Sequence, residues 1–133
     1  MTPPPVLAVS AVVIDHDELL LVERRTGPAA GDWAVPGGHV EPGESLADAV
    51  AREVHEETAL VVAAGQLIGL NEVIGDSSHF VVACYEARLC GPRAATAGSD
   101  AAAVAWVPLN ALDGVRMVPG LQAFLRERGA IPG

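Results

Sequence analysis

Three glutamates, Glu53, Glu56 and Glu57, stand three and four residues apart in a segment rich in Ala, Val, Arg and Glu that reads as a helix from Leu46 to Thr58. At about 100° per residue the apolar stripe of that helix is Leu46, Ala49, Val50 and Val54, with Glu53 and Glu57 inside the stripe and Glu56 at its edge. This placement breaks local rules. Glu53 with Glu57 and Glu53 with Glu56 are like-charge neighbours, each pair unfavourable by about 0.2–0.5 kcal/mol. Negative charge in the last turns also opposes the helix dipole by roughly 0.3–1 kcal/mol per group, and partial burial of an unpaired carboxylate costs more again. Conflicts of this kind are expected at functional sites. A hard divalent cation with oxygen ligands, Mg²⁺ or Mn²⁺, is the simplest compensating charge. The alternative is a solvated acidic helix end, in which Glu56 and Glu57 lie in water and Arg52 pairs with a neighbour.

The elements around this helix must hold it against a core. Ser45-Leu46-Ala47-Asp48 resembles a capping box with Asp in place of Glu and marks its start. Upstream, the apolar runs Val6 to Ile14 and Leu19 to Val22 flank a His16-Asp17 turn and read as a hairpin. Trp33-Ala34-Val35 reads as a short strand stopped by Pro36-Gly37-Gly38, a tripeptide expected to be irregular. Downstream, Leu60 to Val62, Leu67 to Ile74, Phe80 to Leu89 and Val104 to Val107 are strand-like. Pro119 to Arg128 reads as a helix with Pro119 at its first position and Gly129 just past its end. Strands, helix, strands, helix is the pattern of a mixed sheet covered by helices, an α/β or α+β sandwich.

The stretch from Gly38 to Leu60 resembles the Nudix box: a Gly, five residues, a Glu, seven residues, then Arg-Glu-apolar-any-Glu-Glu-any-Gly-apolar. Gly38, Glu44, Arg52, Glu53, Val54, Glu56, Glu57 and Leu60 fit it, and Trp33-Ala34-Val35-Pro36-Gly37 is similar to the family's approach to the box. Ala59 departs from it, standing where the family has Gly; if that residue is left-handed, Ala costs on the order of 1 kcal/mol. The resemblance implies a Nudix-type mixed sheet between helices. It also implies a loop-helix-loop presenting Glu53, Glu56 and Glu57 to Mg²⁺ or Mn²⁺, with Glu44 and the Gly37 or Gly38 carbonyl nearby and Arg52 orienting the glutamates. Glu56 or Glu57 would take the proton of an attacking water, or a later loop acid, Asp100, would do so. The implied activity is hydrolysis of the diphosphate linkage of a nucleoside diphosphate joined to another moiety: an ADP-ribose-like compound, a nucleotide sugar or a nucleoside triphosphate. A non-catalytic nucleotide sensor of the same fold is the contrasting expectation.

Several other residues could serve such a site. Arg24 and Arg25 suit bidentate phosphate recognition, and His39, directly after Gly38, could face phosphates or pack beside them. The resemblance places His79 and Phe80 at a strand lining the base or leaving-group pocket, where Phe80 could stack on a base or join the core. Trp33 and Trp106 are expected in the core, His55 and His16 in solvent, and Cys84 and Cys90 as small buried residues. The 133 residues, half apolar, suit a single domain, and a net charge of -9 repels nucleic acid polymers and anionic membranes, so cations must mediate contact with a phosphate substrate. The opening Met1-Thr2-Pro3-Pro4-Pro5 has no signal-peptide pattern, and no apolar run approaches a membrane span. A soluble cytoplasmic protein, able to form a homodimer through its apolar strands, is the expectation.

Overall fold

The computed structural model describes residues 4–133, so Met1, Thr2 and Pro3 of the leader lie outside the described residues. Along the chain run β1 (Val6–Asp15), β2 (Glu18–Arg24), β3 (Trp33–Ala34), β4 (Gly37–His39), α1 (Leu46–Thr58), β5 (Val62–Ile74), β6 (His79–Leu89) and β7 (Ala101–Pro108). A 3₁₀ segment (Leu109–Gly114) and α2 (Leu121–Glu127) complete the order. The strands form one sheet in the order β3-β2-β1-β6-β5, with β4 also paired to β1 and β7 to β2. β1 runs parallel to β6 and antiparallel to β2 and β4, so the sheet is mixed, as expected.

β1 is the central strand because both of its faces are apolar, the signature of a strand covered on two sides. Val9, Ala11 and Val13 meet Ala49, Val50 and Val54 of α1. Val12, pointing the other way, joins Leu121 and Leu125 of α2 and Leu112 of the 3₁₀ segment. The β1–β2 hairpin turns at His16 and Asp17, whose φ values of 51° and 59° are those of a tight primed turn.

The structure departs from the sequence reading in several places. Gly37–His39 is not irregular: it pairs with Ala8, Val9 and Ser10 of β1, and the missing side chain of Gly37 lets its backbone lie against the Val9 carbonyl. The runs from Leu60 and from Leu67 are one strand from Val62, absorbed into a single ladder with β6 by register shifts between Ala64 and Gly69. α2 starts at Leu121, after a left-handed Gly120 at its N-cap (φ 83°), so Pro119 lies outside the helix, whereas Gly129 (φ 73°) does follow its end. The 3₁₀ segment had no sequence signal. Cys84 is buried but Cys90 is exposed. The far edge of the sheet, β5, leaves Leu67, Leu70, Val73 and Ile74 exposed. Among the described residues no helix is long and apolar enough to cross a membrane.

Candidate active site

α1 carries the acidic cluster, and its two ends are fixed differently. At the start the Ser45 hydroxyl accepts from the Asp48 amide at 3.1 Å, as the capping-box pattern requires. At the end Ala59 is left-handed (φ 65°, ψ 5°) and its N–H reaches the His55 carbonyl at 2.9 Å, so the geometry of a C-terminal glycine is kept with an alanine in it. Buried Thr58 ties the last turn inward, its hydroxyl donating to the Val54 carbonyl at 2.6 Å and accepting from the Leu60 amide at 3.2 Å. Ala49, Val50, Val54 and Thr58 are the buried face.

Arg52 is the hub of the charged face. Its Nε and Nη2 donate to the two oxygens of Glu44 at 2.7 and 2.9 Å, a bidentate pair. Nη1 donates to Glu53 at 2.8 Å and to Glu56 at 3.3 Å, and Nη2 also reaches the His39 carbonyl at 2.9 Å. The Arg52 guanidinium, with help from the Glu41 amide, holds the Glu44 carboxyl at about 2, well below the usual carboxylate range. The same contacts, first of all that with Glu44, push the Arg52 pKa up. One arginine therefore joins the loop before α1 to its third and fourth turns.

Glu53 and Glu57 lie where the helical wheel placed them, on the side of α1 that turns toward the sheet. The Glu53 side chain is 14% exposed against 56% for Glu56. It sits against Gly38 so closely that a Cβ there would overlap its carboxylate. Glu57 accepts from the Gly37 amide at 3.0 Å. Burial pushes the Glu57 carboxyl up to about 7; the Gly37 N–H and the Arg24 charge oppose that rise, while Glu53 and Asp100 add to it. Burial raises Glu53 as well, against the pull of Arg52. Among the described residues no three Asp, Glu, His or Cys side chains close into a metal cage, because Arg52 stands between Glu44, Glu53 and Glu56. The donor chemistry nevertheless fits a hard cation: all-oxygen groups, two of them with carboxyls raised by burial, beside a glycine that leaves them room.

The remaining candidates divide. Arg24, exposed at the end of β2, is near enough to lower the Glu57 pKa, whereas Arg25 donates to the Ala101 carbonyl at 3.2 Å and ties β2 to β7. His39 and Phe80 stack with ring centroids 5.6 Å apart and planes 23° from parallel. Phe80 is half-buried and belongs to neither core cluster, against the expectation of core packing. His79 turns from that pair to Glu72, at 3.3 Å. Trp33 and Trp106 pack on the two clusters, Trp106 donating to the Arg93 carbonyl at 2.9 Å. His55 is exposed and His16 pairs with Asp15 at 2.7 Å. A cleft of about 660 Å³ bounded by Val12, Gln66, Glu86, Arg88 and Arg128 lies elsewhere, and none of the α1 carboxylates lines it.

Two contacts were not read from the sequence. The amides of Thr96 and Gly98 donate to the Thr58 and Glu57 carbonyls, both at 2.9 Å, so a loop some forty positions downstream caps the carboxyl end of α1. Backbone bonds at that separation leave no side-chain pattern.

With this geometry in view, comparison with known proteins is direct. The NUDIX domain family model matches residues 4–127, and the chain belongs to that family. It is 39% identical over 66 residues to an ADP-ribose pyrophosphatase of Methanocaldococcus jannaschii, a match covering 50% of this chain and 39% of that protein. It is 33% identical over 109 residues to the human 8-oxo-dGDP phosphatase NUDT18, covering 80% of this chain and 33% of that one. Its matches thus span well under half the length of these two relatives. The crystal structure of a MutT protein from Methanosarcina mazei superposes with a TM-score of 0.83 at 25% identity, covering 98% of this chain and 96% of the other.

Proposed function

We propose that residues 1–133 act as one Nudix domain that hydrolyses the diphosphate linkage of a nucleoside diphosphate joined to another moiety, with Mg²⁺ or Mn²⁺ bound at α1. The observation that carries this is the pair Glu53 and Glu57, desolvated and facing the glycine strand Gly37–His39, with the Glu57 carboxyl pushed up to about 7. Desolvated carboxylates of this kind cost stability, and a bound cation as the compensating charge is what supports the reading. Glu53, Glu56 and Glu57 would be the ligands, with the Gly38 carbonyl and Glu44 beside them. The bound cation would neutralise diphosphate oxygens and lower the pKa of the attacking water.

The chain's own residues supply the rest. Arg52 sets the Glu53 and Glu56 side chains from one fixed guanidinium, whose position Glu44 and the His39 carbonyl secure. Glu56 and Glu57 are the candidate proton acceptors for the water, and Asp100, close enough to raise Glu57, is the loop alternative. Arg24 faces the same region and offers a fork for phosphate oxygens. Phe80, stacked on His39 rather than sunk in the core, offers an aromatic face for a base, and His79 stands at the same strand end. Arg25 is occupied by the Ala101 carbonyl and supports β7. With a net charge of -9, a small nucleotide held through cations suits this surface and a nucleic acid polymer does not.

The relative acting on ADP-ribose and the one acting on 8-oxo-dGDP suggest two substrate groups to compare. The test is a turnover screen with Mg²⁺ and with Mn²⁺ over ADP-ribose, nucleotide sugars, dinucleotides, and oxidised and ordinary nucleoside di- and triphosphates, read as release of phosphomonoester products. Turnover of at least one compound is expected. Saturable binding of these compounds with no product from any would make the protein a nucleotide sensor.

A further inference from the structure

The carboxyl end of a helix leaves its last carbonyls without partners inside the helix. In α1 two of these, on Glu57 and Thr58, belong to or adjoin the acidic cluster, and both are taken by amides of the Thr96–Gly98 segment at 2.9 Å. The segment approaches so closely that a Cβ on Gly98 would overlap the Glu56 carbonyl oxygen and lie 3.2 Å from the Glu57 Cα. The obstacle is backbone on both sides, so no side-chain rotation relieves it. Directly beyond, the Ala101 amide returns to the Gly98 carbonyl at 3.2 Å and closes the turn that carries Asp100, whose charge is felt at Glu57. Helix end, latch and acidic turn are thus joined by six consecutive positions of backbone, Thr96 to Ala101.

We infer that Gly98 is a positioning residue: the absence of its side chain sets how closely the Asp100 turn lies against the last turn of α1, and so sets the backbone from which Glu56 and Glu57 would present their carboxylates to a divalent cation. The latch also explains how α1 ends with Ala59 in a left-handed conformation, since the tertiary caps on Glu57 and Thr58 hold the turn that a glycine would hold by preference. This inference rests on the reading of the α1 carboxylates as cation ligands.

The test is Gly98→Ala in the full chain, with Mn²⁺ affinity measured by electron paramagnetic resonance of the free ion and melting measured in chelator. Loss of a group that orients metal ligands costs a site on the order of tenfold to ~10² in affinity or activity. Mn²⁺ binding about tenfold weaker is therefore expected, with kcat reduced and circular dichroism unchanged. Leu112→Ala, in the cluster on the other face of the sheet, is the control: it should melt at least as early as Gly98→Ala and bind Mn²⁺ as wild type does. If Gly98→Ala does not fold, Thr96→Pro, which removes one latch donor and sets its ring against the Thr58 carbonyl while leaving the Gly98 approach to Glu56 as it is, should weaken Mn²⁺ in the same direction. Wild-type Mn²⁺ affinity in the folded Gly98→Ala or Thr96→Pro protein would overturn the positioning role alone. Absence of Mn²⁺ binding by wild type would overturn the cation reading and this inference with it.

Discussion

Replacing Glu57 by Gln should make the metal-free protein more stable at alkaline pH and less active at the same time. In the fold burial pushes this carboxyl up to about 7 from an ordinary value of 4.5, a gap that corresponds to about 3 kcal/mol between the two protonation states. Because the folded value is the higher one, the group's contribution is fully present below pH 4.5 and is lost as the pH rises through about 7. At pH 8 wild type bears nearly the whole cost of an ionised, half-buried carboxylate. Glutamine cannot ionise, and its side-chain oxygen can still accept from the Gly37 amide, which now donates at 3.0 Å. The value of about 7 is already net of that hydrogen bond, so the gain at pH 8 is about 3 kcal/mol, or roughly 11 °C in Tm for a chain of this size. At pH 5 the carboxyl is protonated in the fold and the advantage should shrink to about 1 kcal/mol or less, roughly 3 °C. Melting by circular dichroism in chelator at both pH values measures the effect as a difference between two proteins, which cancels the titration of other groups. A Tm difference that is the same at pH 5 and pH 8, or a variant less stable than wild type at pH 8, would refute the reasoning.

Three further outcomes follow from other contacts. Ala59→Gly relieves a left-handed alanine and should raise Tm by about 3 °C, with turnover unchanged within twofold; a fall in Tm would mean that the latch, not the residue, sets that turn. Glu53→Gln should lower kcat by roughly 10² or more while melting as a folded protein, since it loses a charged ligand against Gly38; activity within a few-fold of wild type would remove Glu53 from the site. Arg52→Ala should return the Glu44 carboxyl from about 2 to the ordinary carboxylate range, read by carbon-detected NMR titration, because the Arg52 hydrogen bond is the largest cause of its depression. A Glu44 that still titrates near 2 would show that the Glu41 amide suffices.

How much of this is legible in the sequence depends on the range of the interactions. α1 was read to the residue because its signals are local: a serine cap, good helix formers and an apolar stripe against which three glutamates stand out. The hairpin, the central strand and the sandwich followed from periodicity for the same reason. Gly37–His39 was misread because two glycines signal irregular backbone, whereas here they allow close pairing with β1 and room for Glu53. The break between Val62 and Leu67 was misread because a strand can cross Gly65 by shifting register, which leaves no compositional mark. Arg52 was identified as an orienting residue, but its bidentate grip on Glu44, eight positions away across a loop, depends on the fold of that loop. The Thr96 and Gly98 caps involve only backbone, so no residue type announced them.

The central claim, that the acidic end of α1 works by holding a divalent cation, is tested most directly by following turnover of whichever nucleotide the screen identifies. Wild type should be followed through removal of metal with excess chelator and then titration back with Mg²⁺ or Mn²⁺, beside Glu53→Gln. The account predicts no turnover in chelator, full recovery on readdition for wild type, and a recovery at least ~10² lower for Glu53→Gln. Undiminished turnover in chelator, or equal recovery in both proteins, would contradict it.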